Sequence, residues 1–278
     1  MLLFDFLLFP LARQRKWLIL FVALGAAFSG GAFYRQQAFL ARNAIDRITA
    51  FDGALVIDGF ALFFNWVFLA ASLIVALVSY KYLEIEDEHR GEYYGLILLA
   101  NCGMFFLAAG ADLVTLFVGL ELMAVCFYIM VGFLRSDKRS NEAALKYLLL
   151  GAFSSGVLVY GFSVLYGISG STKLADIAAA VAARPHDDPL VVLALVTTAV
   201  GLLFKISAVP FHMWAPDAYE GAPTTVTAYL SVASKAASFA FLVRVFMGPL
   251  ASLRDLWEPA LAVIAVLSMT VGNLAAIT

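Results

Sequence analysis

Eight apolar stretches, each about as long as a bilayer-crossing helix, decide what this chain can fold into. Such a helix takes about 20 mostly apolar residues, with a range of roughly 17–25. The stretches are 17–34, 59–83, 93–111, 113–134, 143–168, 190–211, 224–246 and 259–278. Their length and the lack of strand-like alternation predict helices, not a barrel. Composition agrees, with 63% hydrophobic and 14% charged residues, against about 45–50% and 25% in soluble domains. This excludes a soluble enzyme and a disordered chain. Eighteen Lys+Arg against 20 Asp+Glu leave a net charge of −2, so no nucleic acid is expected as a partner. Cys102 and Cys126 sit inside apolar runs and read as small core residues, not a disulfide framework. The expected fold is an all-α, polytopic membrane helix bundle.

Both ends read as incomplete. Residues 1–9 are apolar but, as helix, reach only about half a membrane thickness, and Pro10, Arg13, Arg15 and Lys16 follow. A signal peptide carries its basic region before the apolar stretch, so 1–9 read as the tail of a helix that starts earlier. The last span is still running at Thr278. Lys and Arg in alternate connections are nearly balanced and do not orient the chain. The dense clusters at 13–16 and 135–139 share a side, which is placed in the cytoplasm. Residues 173–183 carry Leu174, Ile177, Ala178 and Val181 at helical spacing and predict a short helix on the membrane surface. Residues 43–58 show no clear period and read as loop.

Four ionisable residues fall inside spans: Glu121, Lys146, Lys205 and Lys235. Insertion costs about 2.5–3.5 kcal/mol for a lysine at a helix centre, so three would cost roughly 8–10 kcal/mol. Such residues normally face a bundle interior or a wet path and pair with one another. Each has a plainer reading. Glu121, in LFVGLELMAVCFY, is too deep to reach an interface, and its alternative is a structural ion pair. Lys205 lies five residues before Pro210 and can snorkel to the interface. Lys146, with Ser140 as N-cap, is only about 8 Å into its helix and can also snorkel. Lys235, in SVASKAASF, is midway along its span and is the least able to do so. A lysine withdrawn from water near a carboxylate can be switched between loaded and empty by moving one charged neighbour. That chemistry is proton relay. His89, His186 and His212 are far apart and no GxGxxG follows a strand, so the chain shows no metal or flavin ligands.

The segment 210–223, PFHMWAPDAYEGAP, follows directly on Lys205. Its prolines cannot complete helical hydrogen bonds, and interrupted helices beside an ionisable residue are a recurrent pointer to transport sites. The plainer reading is an interfacial loop anchored by Trp214 and Tyr219. His212 titrates near neutral pH as a residue type and is a possible accessory, although a lone interfacial histidine is more often simply hydrogen-bonded. The small residues Gly151, Ser154, Ser155 and Gly156 permit close helix packing. Asp112 and Asp217 read as helix-end residues.

These residues carry a family resemblance. IDGFALFF at 57–64, LFVGLELM at 116–123, SNEAALKYLLLGAFSSG at 140–156 and FKISAVPFHMWAPDAYEGAPT at 204–224 resemble the antiporter-like subunits of respiratory NADH-quinone oxidoreductase (complex I). Ser234-Lys235 and the closing GNLAAIT do so too, and the form GLEL is closer to subunit N than to its paralogues M and L. The resemblance implies fourteen helices built on two inverted five-helix repeats, each with one broken helix carrying a buried charge. It divides the chain into N-terminal helices at 1–92, a first antiporter-like repeat at 93–247, and the start of a truncated second repeat at 248–278. It pairs Glu121 with Lys205 of the broken helix, and makes Lys146 and Lys235 further members of the relay. The second repeat's own channel residue falls beyond Thr278, so one half-channel is expected here.

The implied activity is that of a non-redox subunit of a proton-translocating oxidoreductase in a bacterial inner membrane. Its implied partners are lipid, subunit M and small membrane subunits. No cofactor is expected in this chain, since NADH, flavin, iron–sulfur clusters and quinone belong to other subunits. A sodium/proton antiporter subunit of the same superfamily and a structural membrane-arm spacer are the alternatives.

Overall fold

The structure, a computed structural model, describes residues 17–86, 88 and 91–277. The readings of 1–9 and 13–16, His89 and Thr278 lie outside those residues. Helix α1 (Trp17–Asn43) leads into a hairpin of β1 (Arg47–Ala50) and β2 (Leu55–Asp58). Then follow α2 (Gly59–Ile85), α3 (Gly91–Ala109), α4 (Leu113–Val131) and α5 (Lys138–Ser169). The short α6 (Leu174–Ala182) precedes α7 (Pro189–Lys205) and α8 (Trp214–Gly221). Helix α9 (Thr224–Phe246) contains a π turn at Leu230–Ser234, and α10 (Arg254–Ile277) completes the order.

Each of the eight apolar stretches is helical over most of its length. Six helical stretches, α2, α3, α4, α5, α9 and Ala251–Ala275 in the α10 region, are long and apolar enough to cross a membrane. The outer faces of α1, α5 and α10 carry Phe28, Phe153 and Ile277, all more than three-quarters exposed, as a lipid-facing surface requires. Cys126 is buried, but Cys102 lies on the outer face, against expectation.

Aspartate starts the helices. Asp58, Asp112, Asp137 and Asp188 precede α2, α4, α5 and α7, and their side chains accept from the N–H groups of Ala61, Val114, Arg139 and Leu190 at 2.8–2.9 Å. Each satisfies an N–H that the helix itself leaves unpaired. Ser140 is therefore not the cap of α5. It lies one turn inside, and its hydroxyl donates to the Val131 carbonyl at 2.6 Å, tying the start of α5 to the end of α4.

Three further expectations need correction. Residues 43–58 are not a plain loop, because Arg47–Ala50 and Leu55–Asp58 pair antiparallel. The turn between them holds Phe51, Asp52 and Gly53 at positive φ (53°, 53° and 85°), which the Asp52-Gly53 pair makes accessible. The sixth stretch does not run to 211. Its helix stops at Lys205, with Ser207 at φ 58° and a cis Val209–Pro210 bond beyond it. Nor is 210–223 wholly irregular: α8 lies within it, with Pro216 in its first turn, where the missing N–H has no helical partner to lose. Trp214 is 2% exposed, so it is a core residue and not an interfacial anchor. Helix α6 forms where its spacing predicts, with Leu174, Ile177 and Val181 buried against the bundle.

Two devices hold the bundle. Helices α3 and α4 meet at Gly103 and Gly119, where a Cβ on Gly103 would come within 2.7 Å of the Gly119 carbonyl. At the hairpin end, Arg244 of α9 makes a bidentate pair with Asp58, both bonds 2.7 Å. Arg244 also donates to the Ala108 carbonyl at 2.8 Å and lies over the Phe60 ring. One side chain thereby fixes α9, the hairpin, α2 and α3 to each other.

Replacing Gly103 by alanine drives backbone against backbone and should cost about 1–3 kcal/mol. Gly156→Ala meets nothing within 4 Å and serves as the neutral control. Thermal unfolding of the full-length subunit in detergent measures both. For Asp58, burial opposes ionisation, but Arg244 and the Ala61 N–H outweigh it and hold the carboxyl below its ordinary 3.8. The stability difference between wild type and Asp58→Asn should then be constant above pH 3.8 and shrink as the pH falls below it. Unfolding midpoints across an acid series check this.

Candidate functional site

Helix α7 ends inside the protein, and the groups at its end form the site. The last four carbonyls of a helix have no helical donor, and here each finds one. Leu202 O accepts from Ile206 N at 3.2 Å and Leu203 O from Ala208 N at 3.0 Å. Phe204 O accepts from Ser207 N at 3.0 Å and from Trp214 Nε1 at 2.9 Å. Lys205 O accepts from Lys235 Nζ at 3.1 Å. The same ammonium donates to Ser207 Oγ and lies 4.4 Å from the centre of the Trp214 ring. Trp214 is itself stacked on Tyr147 (centroids 4.5 Å apart, 9° between planes) and on Phe204 (5.5 Å, 25°).

Lys205 points into the interior. Its side chain is buried, and no hydrogen bond or ion pair reaches its Nζ among the described residues. It lies within electrostatic reach of Glu121 on α4 and of Lys235 on α9. Glu121 is half-buried and accepts a hydrogen bond of 2.6 Å from Ser155 on α5. The hydroxyls of Tyr128 and Thr198 are also buried without a partner. Buried polar atoms normally have one, so each of these three is an exception; Tyr128 lies against Gly151 and Thr198 against Gly161, at different depths along α5.

The structure thus brings together Glu121, Lys205 and Lys235, with Glu121 and Lys205 as neighbours and not in contact. Lys146 stands apart. It is exposed near the start of α5 and pairs with Glu142 at 2.9 Å and Asp217 at 3.2 Å. With Arg139 and Glu220 these residues line a cavity of about 280 Å³. Among the described residues, the ring Nδ1 of His212 is buried without a hydrogen-bond partner, and its carbonyl accepts from Ala215 N at 2.9 Å.

Several functional positions were not singled out by spacing. Ser155 reads as a packing residue in a small-residue row, yet it holds Glu121. Of that row, Gly151 faces the Tyr128 ring and Gly156 faces open space. Asp217 is more than a helix-end residue, since it holds Lys146. The one available signal was Ser155's place on a helix following one with a buried acid. Among the described residues, no group of three or more His, Cys, Asp or Glu side chains is placed to hold a metal ion.

Comparison with known proteins meets this geometry. Residues 110–278 match the transmembrane family of NADH:quinone oxidoreductase and Mrp antiporters. The chain belongs to that family. Glu121, Lys146, Lys205 and Lys235 all fall inside the matched region. The chain is 71% identical over 276 residues to NADH-quinone oxidoreductase subunit N 2 of Solibacter usitatus (strain Ellin6076), covering 99% of this chain and 56% of that protein. Against NADH-quinone oxidoreductase subunit N 1 of Koribacter versatilis (strain Ellin345), identity is 56% over 235 residues, covering 84% and 46%. The chain spans about half the length of the curated relatives it matches. A chain of respiratory complex I from Thermus thermophilus superposes with a TM-score of 0.77 at 33% identity, covering 99% of this chain and 56% of that one. Family membership, bacterial relatives and six candidate spans make this a multi-pass inner-membrane protein.

Proposed function

We propose that this chain is part of the antiporter-like subunit N of a bacterial NADH-quinone oxidoreductase and relays protons through Glu121, Lys205 and Lys235. The observation that carries the reading is Lys205: an amine buried at the broken end of α7, with no hydrogen bond or ion pair among the described residues and with an acid and a second amine in electrostatic reach. A structural ion pair would close the contact, because an unpaired buried charge is costly. A relay station needs the opposite, a group held near its partners with room to exchange.

The roles follow from position. Glu121, anchored by Ser155, is the fixed acid whose charge biases Lys205. Lys205 is the switched amine, and water carries the proton across the gap between it and Glu121. Lys235 takes it onward. Lys146, in its exposed cluster with Glu142 and Asp217, serves as the mouth of the path, and His212 as an accessory. Residues 93–247 then form the first five-helix repeat, since α3, α4, α5, α7 and α9 fall there with α7 as the broken helix.

In this reading the redox chemistry belongs to partner subunits, which hold NADH, flavin, iron–sulfur clusters and quinone. Subunit M and the small membrane subunits are the neighbours. The names of the relatives support an oxidoreductase subunit over an Mrp-type cation exchanger.

The test is Lys235→Ala and Glu121→Ala, each in the full-length subunit within the assembled complex. Proton flux through this subunit should fall about 10²-fold, the scale of losing one positioned proton-transfer group, while assembly persists. Inverted membrane vesicles give the proton-to-electron ratio and the oxidation rate together. Unchanged values in both variants reject the relay. A Glu121→Gln, Lys205→Met double variant that still pumps identifies a structural spacer, and sodium/proton exchange without NADH identifies the antiporter.

A further inference from the structure

We propose that Trp214 and Ser207 are positioning residues which, with the Lys205 carbonyl, form a docking station for the protonated side chain of Lys235. The inference rests on reading Lys235 as a proton carrier and adds where that carrier sits when loaded.

An ammonium has three N–H donors and no acceptor. At Lys235 two of them go to Lys205 O and Ser207 Oγ, and the charge lies over the Trp214 ring. Each contact prefers the cation. A helix C-terminus carries about half a negative charge, and Lys205 O is the last carbonyl of α7. An indole face attracts a cation through its quadrupole and has little hold on a neutral amine. When Lys235 gives up its proton, the pull of the helix end and the ring fades together and the side chain is free to turn along α9. Lys205 is the titratable side chain within electrostatic reach of it, so charging Lys205 loosens the docked state further.

Three features show the station to be built. The π turn at Leu230–Ser234 ends where Lys235 begins. One extra residue turns a helix by about 100°, and here it aims Lys235 at the end of α7. Such π bulges occur frequently at functional sites. Ser207 is a non-glycine residue at φ 58°, in the left-handed region where glycine is the default. Its hydroxyl meets the ammonium, which glycine could not do. Trp214 cannot swing away, because its Nε1 is bonded to Phe204 O and its ring is stacked on Tyr147 and Phe204.

The test uses the full-length subunit in the assembled complex, reconstituted in proteoliposomes. Trp214 is replaced site-specifically by tryptophans carrying one to four ring fluorines, which drain the ring face and leave its shape nearly unchanged. The proton-to-electron ratio should fall stepwise along the series, by about twofold or more at the end, given that a desolvated cation–π contact is among the stronger of its kind. Ser207→Gly relaxes the backbone and removes the hydroxyl. It should leave the melting temperature equal or higher and still lower the ratio, whereas a purely structural serine would leave the ratio unchanged. A flat fluorine series alongside a Lys235→Ala variant that does lower the ratio overturns the station and leaves the relay standing. A Lys235→Ala variant with a normal ratio overturns both.

Discussion

A helix that stops inside a membrane protein must find donors for its last carbonyls, and this requirement organises the interior. Lipid cannot serve them, so the donors come from protein or from a wet cavity within it. At the end of α7 the donors come from three places: the returning backbone at Ile206, Ser207 and Ala208, the indole of Trp214, and the ammonium of Lys235. The first is local, and the other two require α8 to fold back beneath α7 and α9 to present a lysine at one depth. The break therefore fixes the placement of two further helices. It also explains why Trp214 is buried at 2% exposure in a segment whose composition suggests a surface loop.

The same requirement separates the lysines into kinds. Lys235 is occupied, with its charge divided between a carbonyl, a hydroxyl and a ring. Lys146 is paired at an exposed end, where ion pairs contribute little to stability. Lys205 is buried with no hydrogen bond or ion pair among the described residues, its ammonium 6.0 Å from the centre of the Phe204 ring. Glu121 sits close enough to bias Lys205 and is restrained by Ser155 from closing the gap. Close helix contacts at Gly103–Gly119 and at Gly161 and Gly201 between α5 and α7 fix the spacing of the backbones that carry these groups.

How much of this was legible in the chain differs by length scale. Helix positions followed from apolar length, and an interruption at 210–223 from its prolines, although the helix stops five residues sooner, at Lys205. What sequence missed is of two sorts. The hairpin at 47–58 is marked by Asp52-Gly53 between β-branched runs, a signal present but outweighed by scattered charge. Ser155, Ser207 and the π turn have no one-dimensional signature, since a serine that packs and one that holds a carboxylate read alike. The cap of α5 shows the same limit: Asp137 and Ser140 are both good N-caps, and only the demand of the Val131 carbonyl for the serine hydroxyl assigns them.

The short helix α8 joins the two polar regions mechanically. Lys146 and Tyr147 are consecutive on α5, and they grip Asp217 and Trp214, which lie one turn apart on α8. One contact is an exposed ion pair, the other a buried stack whose ring also lies against Lys235. A helix of eight residues with a proline in its first turn has little freedom to bend between them. Any shift of Asp217 relative to Lys146 must therefore move Trp214 against Tyr147 or break the stack. The cation on Lys235 is thus coupled to the charge balance at the rim through rigid pieces in contact, and no water need order itself along the way for that coupling to exist.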